Sequence, residues 1–125
     1  MTIHAQKCDV FAPCALGGAI NANTIDDIGA NIIAGAANNQ LASSELGDVL
    51  QRKGILYAPD FVINAGGIID IHHQTQNSPA HHIKSHLDEI GHTLETIFNE
   101  SNKSGSATSD VAINMAKYKI SAGKR

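Results

Sequence analysis

Asn31-Ile32-Ile33-Ala34-Gly35-Ala36-Ala37-Asn38-Asn39-Gln40 is the stretch on which the fold turns. Its first five residues are nearly all apolar and too few for an amphipathic helix, which is how a strand covered on both faces reads. Small residues and amides then replace the branched ones, so the strand ends in a tight polar turn.

The pattern recurs on either side. Asp9, Val10, Phe11 and Ala12 make a brief strand stopped by Pro13, and Gly54, Ile55, Leu56, Tyr57 and Ala58 make a third. Between the first two, Asn23 or Thr24 can cap a short helix whose first turn carries Asp26 and Asp27, well placed against the positive end of the helix dipole. Between the second and third, Ser43 or Ser44 caps a helix with Leu46, Val49 and Leu50 on one face, and Gly54 stands where a left-handed C-cap is wanted. Strand, helix, strand, helix, strand predicts three buried parallel strands side by side in one sheet, joined by right-handed crossovers.

After Gln74 the character changes to a polar turn, Thr75-Gln76-Asn77-Ser78, with Pro79 at the first position of a long helix. Ile83, Leu87, Ile90, Leu94 and Ile97, with Phe98 beside it, form a single apolar stripe, and Gly105 ends the helix. Thr108 or Ser109 starts a last helix carrying Val111, Met115 and Tyr118, with Lys117, Lys119, Lys124 and Arg125 near its negative end.

Composition bounds the function. With 125 residues, 42% of them hydrophobic but only 4% aromatic and no Trp, the chain has room for one aliphatic core. Nine Lys and Arg against twelve Asp and Glu give a net charge of -3, no footprint for nucleic acid or an anionic bilayer. Cys8 and Cys14 are too few for a disulfide framework and wrongly spaced for a metal knuckle, so reduced thiols in a cytoplasmic protein are expected. No leader and no apolar run of bilayer length is seen, and no membrane association is expected.

In an open parallel sheet ligands sit beyond the carboxyl ends of the strands. Here the three exits are Pro13-Cys14-Ala15-Leu16-Gly17-Gly18, Ala36-Ala37-Asn38-Asn39-Gln40, and Pro59-Asp60 running on to Asn64-Ala65-Gly66-Gly67. Small side chains admit a flat ring, and Asn offers a donor and an acceptor together, which suits a carboxamide or a ribose hydroxyl better than a bare phosphate. Turn chemistry alone also accounts for Gly and Asn at such places. Three like exits side by side favour a site, and with no Gly-x-Gly-x-x-Gly motif in the chain it is half of a nucleotide site.

These residues carry a family resemblance. Phe11-Ala12-Pro13-Cys14-Ala15-Leu16-Gly17, Ile33-Ala34-Gly35-Ala36-Ala37-Asn38-Asn39-Gln40-Leu41 and Tyr57-Ala58-Pro59-Asp60-Phe61-Val62-Ile63-Asn64-Ala65-Gly66-Gly67 closely resemble the leucine, phenylalanine and valine dehydrogenases. The resemblance implies an α/β fold, the C-terminal part of a Rossmann-like doubly wound parallel sheet over residues 1–74 followed by C-terminal helices over 75–125. It implies NAD as cofactor and reversible oxidative deamination of a branched-chain or apolar L-amino acid, leucine favoured, to its 2-oxo acid and ammonium. By motif match, Cys14 and Ala15 line the nicotinamide-ribose region, Ala36, Ala37 and Asn38 border the nicotinamide and the reacting carbon, and Asn64 contacts cofactor or substrate. A helix beginning near Asn64 crosses to the substrate cleft, where Ile68 and Ile71 match the positions lining the side-chain pocket. Core packing alone also explains two isoleucines on one helix face.

The family's catalytic domain, its lysines and its glycine loop do not lie within these 125 residues, so no residue here is assigned a catalytic role and the isolated chain is expected to be inactive. Asp70 stands where the family more often has a neutral residue. Even-numbered homo-oligomers are the expectation by resemblance. The competing reading is a catalytically inactive remnant or interaction module. Finally, His82 and His86 are one helical turn apart, a spacing that can chelate a metal, but with no glutamate of the metalloprotease motif between them a surface histidine patch is expected rather than a metal site.

Overall fold

The computed structural model describes residues 2–123. Strands β1 (Cys8–Phe11), β2 (Ala30–Ile33) and β3 (Leu56–Tyr57) form one parallel sheet in the order β1-β2-β3. Phe11, Ile33 and Tyr57 pair into one row across the sheet, and Val10, Ile32 and Leu56 into the next. The core on this sheet is aliphatic, as the composition requires: Ile20, Ile25, Ile33, Leu46, Leu50 and Ile55 gather around Tyr57. Each such aliphatic side chain, fully buried, contributes about 1.5–3 kcal/mol.

Helix α1 (Glu45–Arg52) presents Leu46 and Leu50 to this core with Val49 packed against it. Ser44 occupies its N-cap position but makes no side-chain cap bond; the Ser43 hydroxyl first and the Glu45 backbone N–H second hold the Glu45 carboxyl below the usual carboxylate range. Gly54 takes the left-handed conformation expected of it, φ +70°, and Gly105, which ends its helix as expected, does the same at φ +73°. Gly54 closes α1 and Ile55 N–H bonds back to Leu50 O at 3.0 Å, so β3 is shorter than the sequence suggests.

Two expectations fail around β1. The short helix predicted after Asn23 or Thr24 is one 3-10 turn, Ile25–Asp27, whose cap residue makes no side-chain cap bond. Thr24 Oγ1 instead donates to Ala19 O at 2.8 Å, and Asn21 Oδ1 accepts from Asn23 N–H at 2.9 Å. These local bonds compete with the helix and win. With no helix laid over it, β1 is not buried on both faces: Cys8, Asp9 and Val10 are exposed, and among the described strands it pairs along one edge only.

Beyond β3 the chain turns helical at once, in α2 (Asp60–Ile63), earlier than the start near Asn64. Asn64 and Ala65 interrupt the helix before α3 (Gly66–Thr75) resumes it. Helix α4 (Ala80–Ser104) packs on α2 and α3, and α5 (Thr108–Ala122) packs on α4, α1 and β3. Pro79 is the residue before α4 rather than its first. Of the α4 stripe, Ile97 is buried, Ile83, Ile90, Leu94 and Phe98 are half-buried, and Leu87 is exposed. Burial in α5 is confined to its first turns, where Thr108 Oγ1 donates to Tyr57 O at 2.7 Å. Its far end has no such seat, so Tyr118, expected on the apolar face, is exposed. Lys124 and Arg125 lie outside the described residues. No described helix is long and apolar enough to cross a membrane.

Candidate functional site

Parallel strands end on one side of the sheet, so the three exits meet there. The first two are laced together by backbone bonds: Ala37 N–H to Pro13 O at 2.9 Å, Gly18 N–H to Asn39 O at 2.7 Å, and Ile20 N–H to Gln40 O at 3.0 Å. Glycine makes this approach possible. A Cβ on Gly35 would run into the backbone and ring of Pro13, and one on Gly17 would lie 2.9 Å from Asn38 O.

Cys14 is exposed at the first exit, and its Sγ accepts from Ala36 N–H at 3.5 Å. Cys14 and Ala15 line a cleft of about 360 Å³ together with Phe11, Leu16 and Gly17. A second cleft, about 500 Å³, opens where the second and third exits meet and is lined by Asn38, Asp60, Phe61, Asn64 and Ile68 among others. Asn38 and Asn64, 26 positions apart in sequence, are joined across its wall: Asn64 Nδ2 donates to Asn38 Oδ1 at 2.6 Å. That bond leaves the Asn38 Nδ2 donors and the Asn64 Oδ1 acceptor for a ligand, the complement of a carboxamide edge.

The remaining expected residues divide. Ala36 is exposed beside Cys14, whereas Ala37 is only 4% exposed, so its methyl faces the interior and any part it plays is through its backbone. Ile68 and Ile71 are 71% and 62% exposed, while Ile69 between them is 7% exposed. Within this chain the buried face of α3 is the one carrying Ile69, and Ile68 and Ile71 lie off it. Ile68 borders the cleft; Ile71 lies on the same bare side of α3 one turn on. Asp70, whose carboxylate accepts from Gln74 Nε2 at 2.8 Å, is committed within its own helix. Asn39 sits in the left-handed region, φ +53°, and serves the turn.

Two residues that sequence reasoning left unassigned are central. Asp60 Oδ2 accepts the backbone N–H of Gln40 at 3.3 Å and is, among the described residues, the one ionisable side chain lining the 500 Å³ cleft. Tyr57 lies beside it, its hydroxyl accepting from Asp60 N–H at 3.3 Å; burial first and the Asp60 charge second push the phenol pKa well above its ordinary value. The phenol therefore stays protonated. Gln40, an amide with no exposure, closes the loop from inside. Among the described residues no lysine lines the cleft; the arrangement can bind and orient a flat amide-bearing ligand.

A histidine cluster sits elsewhere, where His72 and His73 of α3 meet His86 of α4. His86 pairs with His73 rather than His82, Nε2 of His73 lying 3.1 Å from Nδ1 of His86. Among the described residues no group of three or more His, Cys, Asp or Glu is placed to hold a metal ion.

Residues 1–122 match the Glutamate/Leucine/Phenylalanine/Valine dehydrogenase family. L-tryptophan dehydrogenase of Nostoc punctiforme (strain ATCC 29133 / PCC 73102) is 44% identical over 124 residues, which cover 98% of this chain and 35% of that protein. Leucine dehydrogenase of Bacillus subtilis (strain 168) is 39% identical over 98% of this chain and 34% of its own length. Phenylalanine dehydrogenase of Bacillus thermotolerans is 39% identical over 98% of this chain and 32% of its own. The crystal structure of L-tryptophan dehydrogenase from Nostoc punctiforme matches with a TM-score of 0.91 at 43% identity, over 98% of this chain and 37% of that one. The chain spans about a third of the length of the curated relatives it matches.

Proposed function

This chain belongs to the glutamate/leucine/phenylalanine/valine dehydrogenase family, and we propose that it supplies the nicotinamide side of the cofactor site and one wall of the substrate pocket in an NAD-dependent amino-acid dehydrogenase. The observation that carries the proposal is the Asn38–Asn64 pair, held at 2.6 Å where two strand exits meet beside Ile68.

The residues present fit that cofactor. Cys14, Ala15 and Ala36 are small enough to admit a flat ring, glycines bring the exits into contact, and the amide pair keeps donors and an acceptor free. When bound, NAD would supply the hydride acceptor for oxidation of the amino acid at its α carbon to an imine, which water would hydrolyse to the 2-oxo acid and ammonium. In this account Asn38 and Asn64 fix the ring's carboxamide and so choose which ring face meets the substrate. Ile68 and Ile71, bare on α3, enclose an apolar side chain and keep water from it. They offer no partner for a polar side chain, and an unpaired polar group is what such a pocket rejects. The proton-transfer groups and the pyrophosphate-binding loop belong to other residues of the working enzyme, which this reading places in the cytoplasm as a homo-oligomer.

Leucine is the first substrate of this proposal. Relatives named for leucine, phenylalanine and tryptophan match at 38–44% identity over nearly the whole chain, so the experiment covers all three. The segment is joined to the upstream two-thirds of the Nostoc punctiforme L-tryptophan dehydrogenase, and NADH formation is followed with L-leucine, L-tryptophan, L-phenylalanine and L-glutamate. Turnover of apolar amino acids, with leucine ahead and glutamate unused, is expected. A folded hybrid that turns over none of them overturns the proposal.

A further inference from the structure

We propose that Gln40 is a positioning residue: its buried amide sets the Ala36–Asn38 wall from behind and so places the Asn38–Asn64 pair. The inference rests on the reading above, in which that wall borders the nicotinamide.

Burying an amide is unfavourable unless its donors and acceptor are used. Gln40 has no exposure, and it uses its donors fully: Nε2 reaches Gly35 O at 2.6 Å and Ala37 O at 3.0 Å, the carbonyls on either side of Ala36. Its Oε1, by contrast, is buried without a partner. A methionine side chain of similar length would fill the same space with no stranded acceptor, so packing does not account for an amide here. The two donated bonds do.

Those bonds determine where the loop's own donors point. In a trans peptide the N–H is directed opposite the C=O, and the described residues have no cis bonds. Pinning Gly35 O and Ala37 O inward therefore turns the N–H groups of Ala36 and Asn38 outward. The Ala36 N–H is indeed found on Cys14 Sγ. The backbone of the same residue fixes the loop to its neighbours, since Gln40 N–H bonds Asp60 Oδ2 in the third exit and Gln40 O accepts from Ile20 N–H after the first. Through its backbone the same residue thus touches the other two exits as well.

The test uses this chain, wild type and Gln40→Met, labelled for NMR and titrated with nicotinamide mononucleotide. In the wild type both Gln40 side-chain amide protons are expected to be protected from exchange and coupled through hydrogen bonds to the carbonyls of Gly35 and Ala37. Their absence overturns the proposal without any variant. In Gln40→Met the sheet resonances of Ile33 and Tyr57 should stay in place while the amides of Ala36 and Asn38 and the side-chain amide of Asn64 shift. Loss of the pinning bonds should weaken nucleotide binding by about tenfold, the equivalent of one hydrogen bond. Equal affinity in the two proteins, or an unmoved loop, contradicts a positioning role. A wild type that ignores the nucleotide while Gln40→Met still shifts the loop would refute the nicotinamide reading and leave the positioning role standing.

Discussion

Three isoleucines within two turns of α3 separate core from pocket. Ile69 is 7% exposed, against 71% for Ile68 and 62% for Ile71. Truncating Ile69 to Ala removes buried methylene groups and leaves a cavity against α4, which costs about 2–5 kcal/mol. At Ile71 less than half of the side chain is covered, so the apolar area lost scales down to about 1 kcal/mol or less. The better helix propensity of Ala returns a few tenths of that, about 0.4 kcal/mol. Urea denaturation of the three Ala variants of this chain, compared at equal m value, reads the difference directly. Ile69→Ala should shift the midpoint strongly, while Ile68→Ala and Ile71→Ala stay close to wild type. If Ile71→Ala loses as much stability as Ile69→Ala, then Ile71 is core, and the surface assigned to the substrate side chain does not exist.

The isolated chain should form no NADH with leucine, tryptophan or phenylalanine, because among the described residues no amine base lines the cleft to take the proton; turnover above a protein-free blank would contradict this. His73 is held below its ordinary value of 6.5, first by burial and then by His72, His86 and His82, with Asp70 opposing. The unfolded chain therefore binds the proton more readily, so this part of the stability is complete above pH 6.5 and is lost as pH falls through that value and on through the lower folded one. Thermal unfolding followed from about pH 8 down to about pH 5 should show the decline, and His73→Gln should flatten it. Thr108→Val strands the buried Tyr57 carbonyl and should cost about 1–3 kcal/mol in the same denaturation assay, with α5 released from β3.

The sheet was legible because parallel strands with helical crossovers leave a period and punctuation that physics constrains tightly. Gly54 and Gly105 stand where a left-handed residue is required, and β2 is a short apolar run closed by small residues. Burial of β1 was not legible: Val10 and Phe11 spell the same run whether a helix covers them or not. The first connection misled because Asn23 and Thr24 are N-cap residues by type, and only the fold shows Thr24 Oγ1 on Ala19 O and the Asn23 N–H on Asn21 Oδ1 within a tight loop. On α3 the spacing of three placed Ile68 and Ile71 on one face, but the position of α4 decides which face is buried. Gln40 gave no signal because a single buried amide has no periodicity; its partners are carbonyls, which every residue carries. The Asn38–Asn64 pair was half legible, each amide visible at its exit and their contact visible only once α2 brings the third exit to the second.

A crystal structure of the hybrid enzyme with NAD and L-leucine bound tests the central claim most directly. The nicotinamide ring is expected against Cys14 and Ala36, its carboxamide bonded to the Asn38–Asn64 pair, and the leucine side chain between Ile68 and Ile71. A nicotinamide seated away from the strand exits, with Asn38 and Asn64 still bonded only to each other, would contradict it.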